Sequence, residues 1–152
     1  MAWVTVSRED LKMYVVSALV EAIDLAALGD AQLDRFTQVH SNTIAEVRVA
    51  AKGKTSNVLD SDPAKIPQSL RSAACWIICQ YMAQGLGVEM TEAQLNEVTQ
   101  ARQRLSDVAR GDMPVEVPDS PDTVPDVQNA TNAVQLVRST TRVYTRESMA
   151  GL

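Results

Sequence analysis

Side chains that carry catalytic or metal-binding chemistry are few in this chain of 152 residues. It has one histidine, one phenylalanine and two cysteines, and aromatic residues make up only 4% of the sequence. A lone histidine cannot complete the usual zinc site, in which histidine and cysteine supply most of the ligands. The shortage of aromatic residues disfavours a β-sandwich and favours helices that pack through alanine, valine and leucine. We therefore expect an all-α protein that holds no metal or cofactor.

Motifs of enzyme chemistry are missing as well. The sequence has no phosphate-binding glycine loop, no nucleophile elbow and no HExxH pattern. Cys75 and Cys79 lie four residues apart in an apolar stretch, where side chains from successive helical turns cannot bridge each other well. We expect both to be inert packing thiols. His40 falls on the apolar side of a predicted helix and is expected to be a packed, hydrogen-bonded residue. The sequence predicts no enzymatic activity.

Positive charge is scarce, with a formal net charge of −5, so the chain lacks the general basic footprint of a nucleic-acid-binding protein. Three arginines give one predicted helix a basic edge, which we interpret as a surface face of salt bridges: Arg102, Arg104 and Arg110. Two acidic pairs fall in predicted loops and are expected to be solvated: Asp60 with Asp62, and Asp119 with Asp122.

Long hydrophobic runs are absent. No apolar stretch approaches the roughly 18–20 residues that a membrane span needs, and the N-terminus has no basic region followed by an apolar core. The sequence therefore predicts a soluble protein that is made in the cytoplasm and has no membrane partner.

The densest apolar stretch runs from Pro67 to Met82 and predicts a buried central helix. Apolar residues recur there at steps of three and four, which places them along one side of an α-helix. Pro67 suits a first helical turn, and Gly85 and Gly87 suit its end. The predicted core positions of this helix are Leu70, Ala74, Ile77, Ile78 and Tyr81.

Other helices are predicted around it. Ser7 is a predicted N-cap, with a helix from Arg8 that bends or breaks between Tyr14 and Ser17 and closes at Gly29. The run before Ser7 is predicted to be an extended arm or strand. A second helix follows from a cap at Asp30 to Gly53, with the stripe Leu33, Phe36, His40, Ile44, Val47 and Ala51. The last begins at a Thr91/Gln94 capping box and stops at Gly111, with the stripe Leu95, Val98, Arg102, Leu105 and Ala109.

The segments between and after these helices differ in composition. Lys52–Ile66 is polar and lacks periodicity, so it is predicted to be a long loop of the kind that often serves contact or function. The predicted organisation is a small helical bundle over residues 1–111, a proline-rich acidic linker over 112–127 and an extended arm over 128–152. Four of the six prolines lie in that linker: Pro114, Pro118, Pro121 and Pro125.

The C-terminal arm regains β-branched and aromatic residues after the linker, which is typical of a strand. A single tethered strand cannot bury its own apolar residues, and adding a strand to the edge of a partner's sheet is the simplest remedy. A disordered tail over 112–152 is the alternative that composition leaves open. The predicted partner-binding residues of the arm are Arg142, Val143, Tyr144, Thr145 and Arg146.

The chain as a whole resembles the small Mu-type tailed-phage proteins that act as head-tail adaptors or head-completion proteins. The resemblance rests on a capped N-terminal helix with Asp10-Leu11, a long second unit, an Ile66-Pro67-x-x-Leu70 entry to an Ala/Cys-rich helix ending near Tyr81, then Thr91 and a helix that closes with Val108-Ala109-Arg110-Gly111. The peptide from Arg142 to Leu152 is similar to the habitual C-terminus of that family, which more often has phenylalanine in place of Tyr144. The Lys52–Pro63 loop departs from the family's short Gly/Tyr-containing loop.

That resemblance implies a virion structural protein at the interface of head and tail. It implies a homo-oligomeric ring, dodecameric in form, beneath the portal protein and above a stopper or tail-terminator protein. Genome DNA would pass through its lumen without sequence-specific binding. A different class stays open from the residues alone, namely a small cytosolic helical regulator or scaffold that binds a partner through its C-terminal arm.

Overall fold

The computed structural model describes residues 3–29, 35–53 and 57–122. These residues confirm the predicted helical bundle, whereas the predicted arm over 128–152 lies outside them. None of the described helices combines the length and the hydropathy of a membrane span. The elements are β1 (Trp3–Thr5), α1 (Arg8–Tyr14), α2 (Ser17–Gly29), α3 (Arg35–Lys52), β2 (Lys65–Pro67), a turn of 3-10 helix (Gln68–Leu70), α4 (Arg71–Leu86) and α5 (Glu92–Arg110).

The N-terminal segment enters the fold as a strand and then caps a helix. β1 pairs antiparallel with β2, with Val4 opposite Ile66. The Ser7 side chain accepts a hydrogen bond from the backbone N–H of Asp10, and the Asp10 carboxylate accepts one from the N–H of Ser7 at 2.7 Å. Val15 is extended and separates α1 from α2, which confirms the predicted break at two β-branched residues with weak helix propensity.

The central helix begins later than the sequence pattern predicts. Pro67 is the last residue of β2, and α4 starts at Arg71 after the 3-10 turn. A proline lacks the N–H that a strand interior would use, so it is tolerated at the end of a short edge strand as well as in a first helical turn. α4 runs through Gly85, where the Arg35 guanidinium occupies the space that a Cβ would need. Gly87, with φ of 69°, ends it.

α4 supplies the centre of the core. It contacts each of the other four described helices, which explains why its circumference is apolar nearly all round. Its buried positions include Ala74, Ile77 and Ile78, and Leu70, in the 3-10 turn just before it, is buried as well. The prediction that Tyr81 lies with them is wrong, since its side chain is 36% exposed. The Tyr81 hydroxyl lies 3.4 Å from Glu46 Oε2 and the Arg102 guanidinium lies over its ring, so the polar tip is kept at the surface.

α3 packs on α4 through the side that its apolar spacing predicts. Ile44, Val47 and Ala51 are buried there. His40 is half-buried, with Nε2 2.8 Å from the carbonyl oxygen of Val6. The expectation of a packed, hydrogen-bonded histidine is confirmed, and the predicted positions Asp30 and Leu33 lie outside the described residues.

α5 has the predicted ends but a different buried stripe. Thr91 and Gln94 form the capping box, and Gly111 ends the helix with φ of 82°. Leu95 and Ala109, predicted to face the bundle, are exposed. The buried side chains are those of Val98, Ala101, Leu105 and Val108. The buried stripe shares Val98 and Leu105 with the predicted one, but at 100° per residue its centre is turned by about 60°. Ala101 and Val108 therefore face the bundle in place of Arg102 and Ala109.

Candidate functional site

Large apolar side chains are exposed along α2. Leu25 is 73% exposed and Leu28 is 62% exposed, and the two alanines that share this side of the helix, Ala18 and Ala22, are exposed as well. At 100° per residue, residues 18, 22 and 25 lie within about 60° of one another. We call Ala18, Ala22, Leu25 and Leu28 the α2 outer face. Met13 and Val16, just before α2, are also exposed.

The opposite side of α2 packs against the core of the bundle. Leu19, Val20, Ile23 and Ala27 are buried against the bundle. A surface helix normally carries polar residues away from the core, and a helix that is apolar on both sides is normally buried. α5 follows that rule, since its exposed residues include Glu97, Gln100 and Arg104. The α2 outer face therefore has the character of a surface that another chain covers.

Acidic residues border this face. Glu21 is exposed and, at 100° per residue, lies between Leu25 and Leu28 around the helix axis. Asp24 forms an ion pair with Arg8. Residues 21–34 contain four acidic side chains and no lysine or arginine; two of the four lie outside the described residues. An apolar surface with an acidic border fits a partner that is both apolar and positively charged.

Arg48 organises the long loop that follows α3. Its Nη1 donates to the carbonyl oxygens of Asp62 at 2.9 Å and Lys65 at 2.8 Å, and its Nη2 donates to that of Asp60 at 2.8 Å. The guanidinium also lies 5.6 Å from the centre of the Trp3 ring. One side chain on α3 thus fixes the backbone that leads into β2. The sequence pattern gives no signal for this role, because a single arginine on a helix resembles solvated charge.

Asp60 is fully buried, which corrects the prediction of a solvated Asp60/Asp62 pair. Its Oδ1 accepts a hydrogen bond from the N–H of Asp62 at 2.9 Å and lies 3.9 Å from Lys65 Nζ. Its Oδ2 has no hydrogen-bond partner within the part of the chain that the structure describes. Backbone pairing of Asp60 with Pro121 explains the burial, since it closes the loop under a later segment.

The predicted linker is attached to the bundle as far as the structure describes it. The Trp3 indole N–H donates to the carbonyl oxygen of Glu116 at 2.7 Å. Ser69 donates to the Glu116 carboxylate from its N–H at 3.0 Å and from its hydroxyl at 2.8 Å. Asp122 donates its N–H to Leu59 at 2.7 Å. We call residues 113–122 the strap. A free spacer can therefore begin only after residue 122, and not at residue 112 as the composition suggests.

A second apolar surface is the groove between α3 and α5, with a volume of about 470 Å³. A Cβ on Gly53 would lie 2.6 Å from the Ala109 carbonyl oxygen, so the two helices approach closely there. Arg102 lies 3.7 Å from Glu46 and donates to Gln80 at 2.8 Å, which supports the predicted salt-bridge face. The groove is lined by Glu46, Val49, Ala50, Gly53, Arg102, Leu105, Ser106 and Ala109.

The titratable groups of the core are structural. Burial raises the pKa of both Cys75 and Cys79 to about 12, so they are protonated thiols at neutral pH and poor nucleophiles. Burial alone would raise the pKa of Asp10, but hydrogen bonds from Arg71 and Ser7 leave it below its ordinary value. Asp10 and Arg71 thus form an ion pair between α1 and α4. Over residues 3–29, 35–53 and 57–122, no three histidine, cysteine or acidic side chains are grouped as a metal site would need.

The predicted partner-binding residues, Arg142 to Arg146, lie outside the described residues. Sequence reasoning missed the α2 outer face, although its signal was present: alanine and leucine occupy both sides of one helix. Comparisons of the chain with protein-family models, with curated proteins and with solved structures find no match.

Proposed function

We propose that this chain is a structural protein of a tailed-phage virion, a head-tail adaptor that forms a ring beneath the portal and joins capsid to tail. The proposal starts from the resemblance of the sequence to Mu-type adaptors. The observation that carries it further is the α2 outer face, where Leu25 and Leu28 are exposed on a helix that is apolar on both sides. A subunit of a closed ring has a neighbour on each side, so such a face is covered in the assembly.

Charge supports the same proposal. A net charge of −5 gives a chain that repels DNA overall, which suits a conduit through which the genome passes without being held. The partners are then further copies of the chain, the portal protein on one side and a stopper or tail-terminator protein on the other. The adaptor works without a cofactor and without a membrane, and it is located in the virion after synthesis in the host cytoplasm.

The test is electron microscopy of the purified full chain, alone and mixed with the portal protein of the same phage. We expect rings with twelvefold symmetry attached to the portal. A Gln100→Asp chain, changed on the polar side of α5, should form the same complexes and serves as the control. A chain that stays monomeric and leaves the portal bare would contradict the proposal and favour the regulator or scaffold that binds through its arm.

A further inference from the structure

We propose that the α2 outer face is the receptor for the C-terminal arm, residues 128–152, of a neighbouring copy of this chain. The proposal deepens the proposed function and depends on it only in that neighbouring copies exist. It assigns an occupant to the apolar surface around Leu25 and Leu28, and it assigns a destination to the apolar residues of the arm.

Charge decides between the arm and the other surface that a second copy could offer. If α2 packed against α2 of another copy, Glu21 would approach its own equivalent, and like charges that face each other are destabilising. The arm has the opposite character: residues 128–152 contain three arginines and a single acidic residue. Its arginines can pair with the acidic border while its apolar residues cover the leucines.

The spacing of those arginines suits a one-sided contact. Arg138, Arg142 and Arg146 are four residues apart. A step of four places side chains on one side both in a strand, where the period is two, and in a helix, where four residues are about one turn. The arm can therefore present its positive charge to one surface whichever conformation it takes, and Val143 and Tyr144 lie within the same stretch.

The strap limits where the arm begins. Since residues 113–122 are attached to the bundle of their own subunit, only residues 123–127 separate the strap from the arm. These five residues span about 16 Å when extended at ~3.1 Å per residue. A linker of this length favours a receptor on an adjoining subunit over one in a distant layer of the assembly.

Disulfide capture in full-length chains tests the proposal. A tagged chain with Leu25→Cys is co-expressed with an untagged chain with Val143→Cys, and the purified protein is oxidised with copper phenanthroline. The native Cys75 and Cys79 are buried, so we expect them not to form disulfides. We expect a crosslinked heterodimer, and we expect its yield to fall about three- to tenfold when the arm also carries Arg142→Glu and Arg146→Glu, since two positive charges of the arm become negative beside an acidic surface.

The matched control is a tagged chain with Gln100→Cys, which places the thiol on the polar side of α5. It should give little heterodimer with the Val143→Cys chain. Equal yields from Leu25→Cys and Gln100→Cys would overturn the proposal. So would a predominant tagged homodimer through Leu25→Cys, which would mean that α2 meets α2, or a crosslink confined within single chains of the Leu25→Cys/Val143→Cys double variant.

Failure of this inference and failure of the proposed function give different results. If rings form on the portal but the heterodimer is absent, the adaptor proposal stands and the receptor assignment is wrong. If the heterodimer forms but the protein does not bind the portal, the assignment stands and the virion proposal is wrong.

Discussion

At the scale of single residues, Arg48 supplies the hydrogen bonds that fix the loop before β2. Buried backbone carbonyls need hydrogen-bond donors, and residues 57–64 have no helix or strand to supply them. The guanidinium of Arg48 reaches two of these carbonyls and a third in β2, and it lies over Trp3. Lysine could not replace it, because an ammonium lacks the planar arrangement of several donors.

We therefore expect Arg48→Met to destabilise the protein by about 2–4 kcal/mol, since three carbonyls lose a charged donor while the aliphatic part of the side chain is kept. Urea unfolding of the full chain measures the loss. Hydrogen exchange should show that the amide exchange rate increases most in residues 60–67. Arg104→Met, on the exposed side of α5, is the matched control and should change the free energy of unfolding by less than about 0.5 kcal/mol. Equal losses in the two variants would show that Arg48 does not hold the loop.

Single residues also show where sequence reasoning stops. Ala74, Ile77 and Ile78 are predicted from apolar spacing and are fully buried, because the other described helices pack around α4. Tyr81 has the same spacing, yet its hydroxyl is drawn to the surface by Glu46 on α3. The sequence around Asp60 indicates a solvated loop carboxylate, but its backbone pairs with that of Pro121 and the side chain is buried. Partners that are distant in sequence decide both cases, and no local pattern reports them.

At the scale of elements, the strap changes how the bundle is bounded. Met113 and Val115 pack against the core, and Glu116 joins β1 to the 3-10 turn through Trp3 and Ser69. Residues up to Asp122 belong to one compact unit. The bundle is therefore completed by a segment whose proline-rich, acidic composition indicates a linker.

A chain cut after Gly111 should keep its helices but be less stable than a chain cut after Asp122. The shorter form leaves Trp3 and Ser69 without their partners, which should lower the free energy of unfolding by at least about 2 kcal/mol. Circular dichroism checks that helicity is similar, and urea unfolding measures the difference. Identical unfolding curves for the two truncated chains would mean that the strap does not stabilise the bundle.

The helices are the elements that the sequence predicts best, for a physical reason. Ser7 with Asp10 and Thr91 with Gln94 carry the capping signal locally, and the left-handed Gly87 and Gly111 mark the helix ends. The sequence pattern does not indicate β2, because its three residues form a strand only by pairing with β1. The attachment of the strap is not indicated by local sequence either, since its partners lie more than forty positions earlier.

At the scale of the whole molecule, the exposed sides of α2 and α5 differ in character. α5 presents charged and amide side chains, whereas α2 presents alanine and leucine beside an acidic border. In a lone subunit that apolar area stays in contact with water, which costs roughly 25 cal/mol for each Å². Covering it with an adjoining subunit removes this cost, as we propose for the protein as one subunit of a ring.

The most direct test of that claim is the solution mass of the full chain, measured by analytical ultracentrifugation over a range of concentrations. We expect the unaltered protein and the Gln100→Asp control to assemble, and Leu25→Asp to sediment as a folded monomer, because an aspartate on this face would be buried without a partner in the assembly. A Leu25→Asp chain that assembles as well as the unaltered protein would contradict assembly through the α2 outer face. So would an unaltered protein that stays monomeric at every concentration.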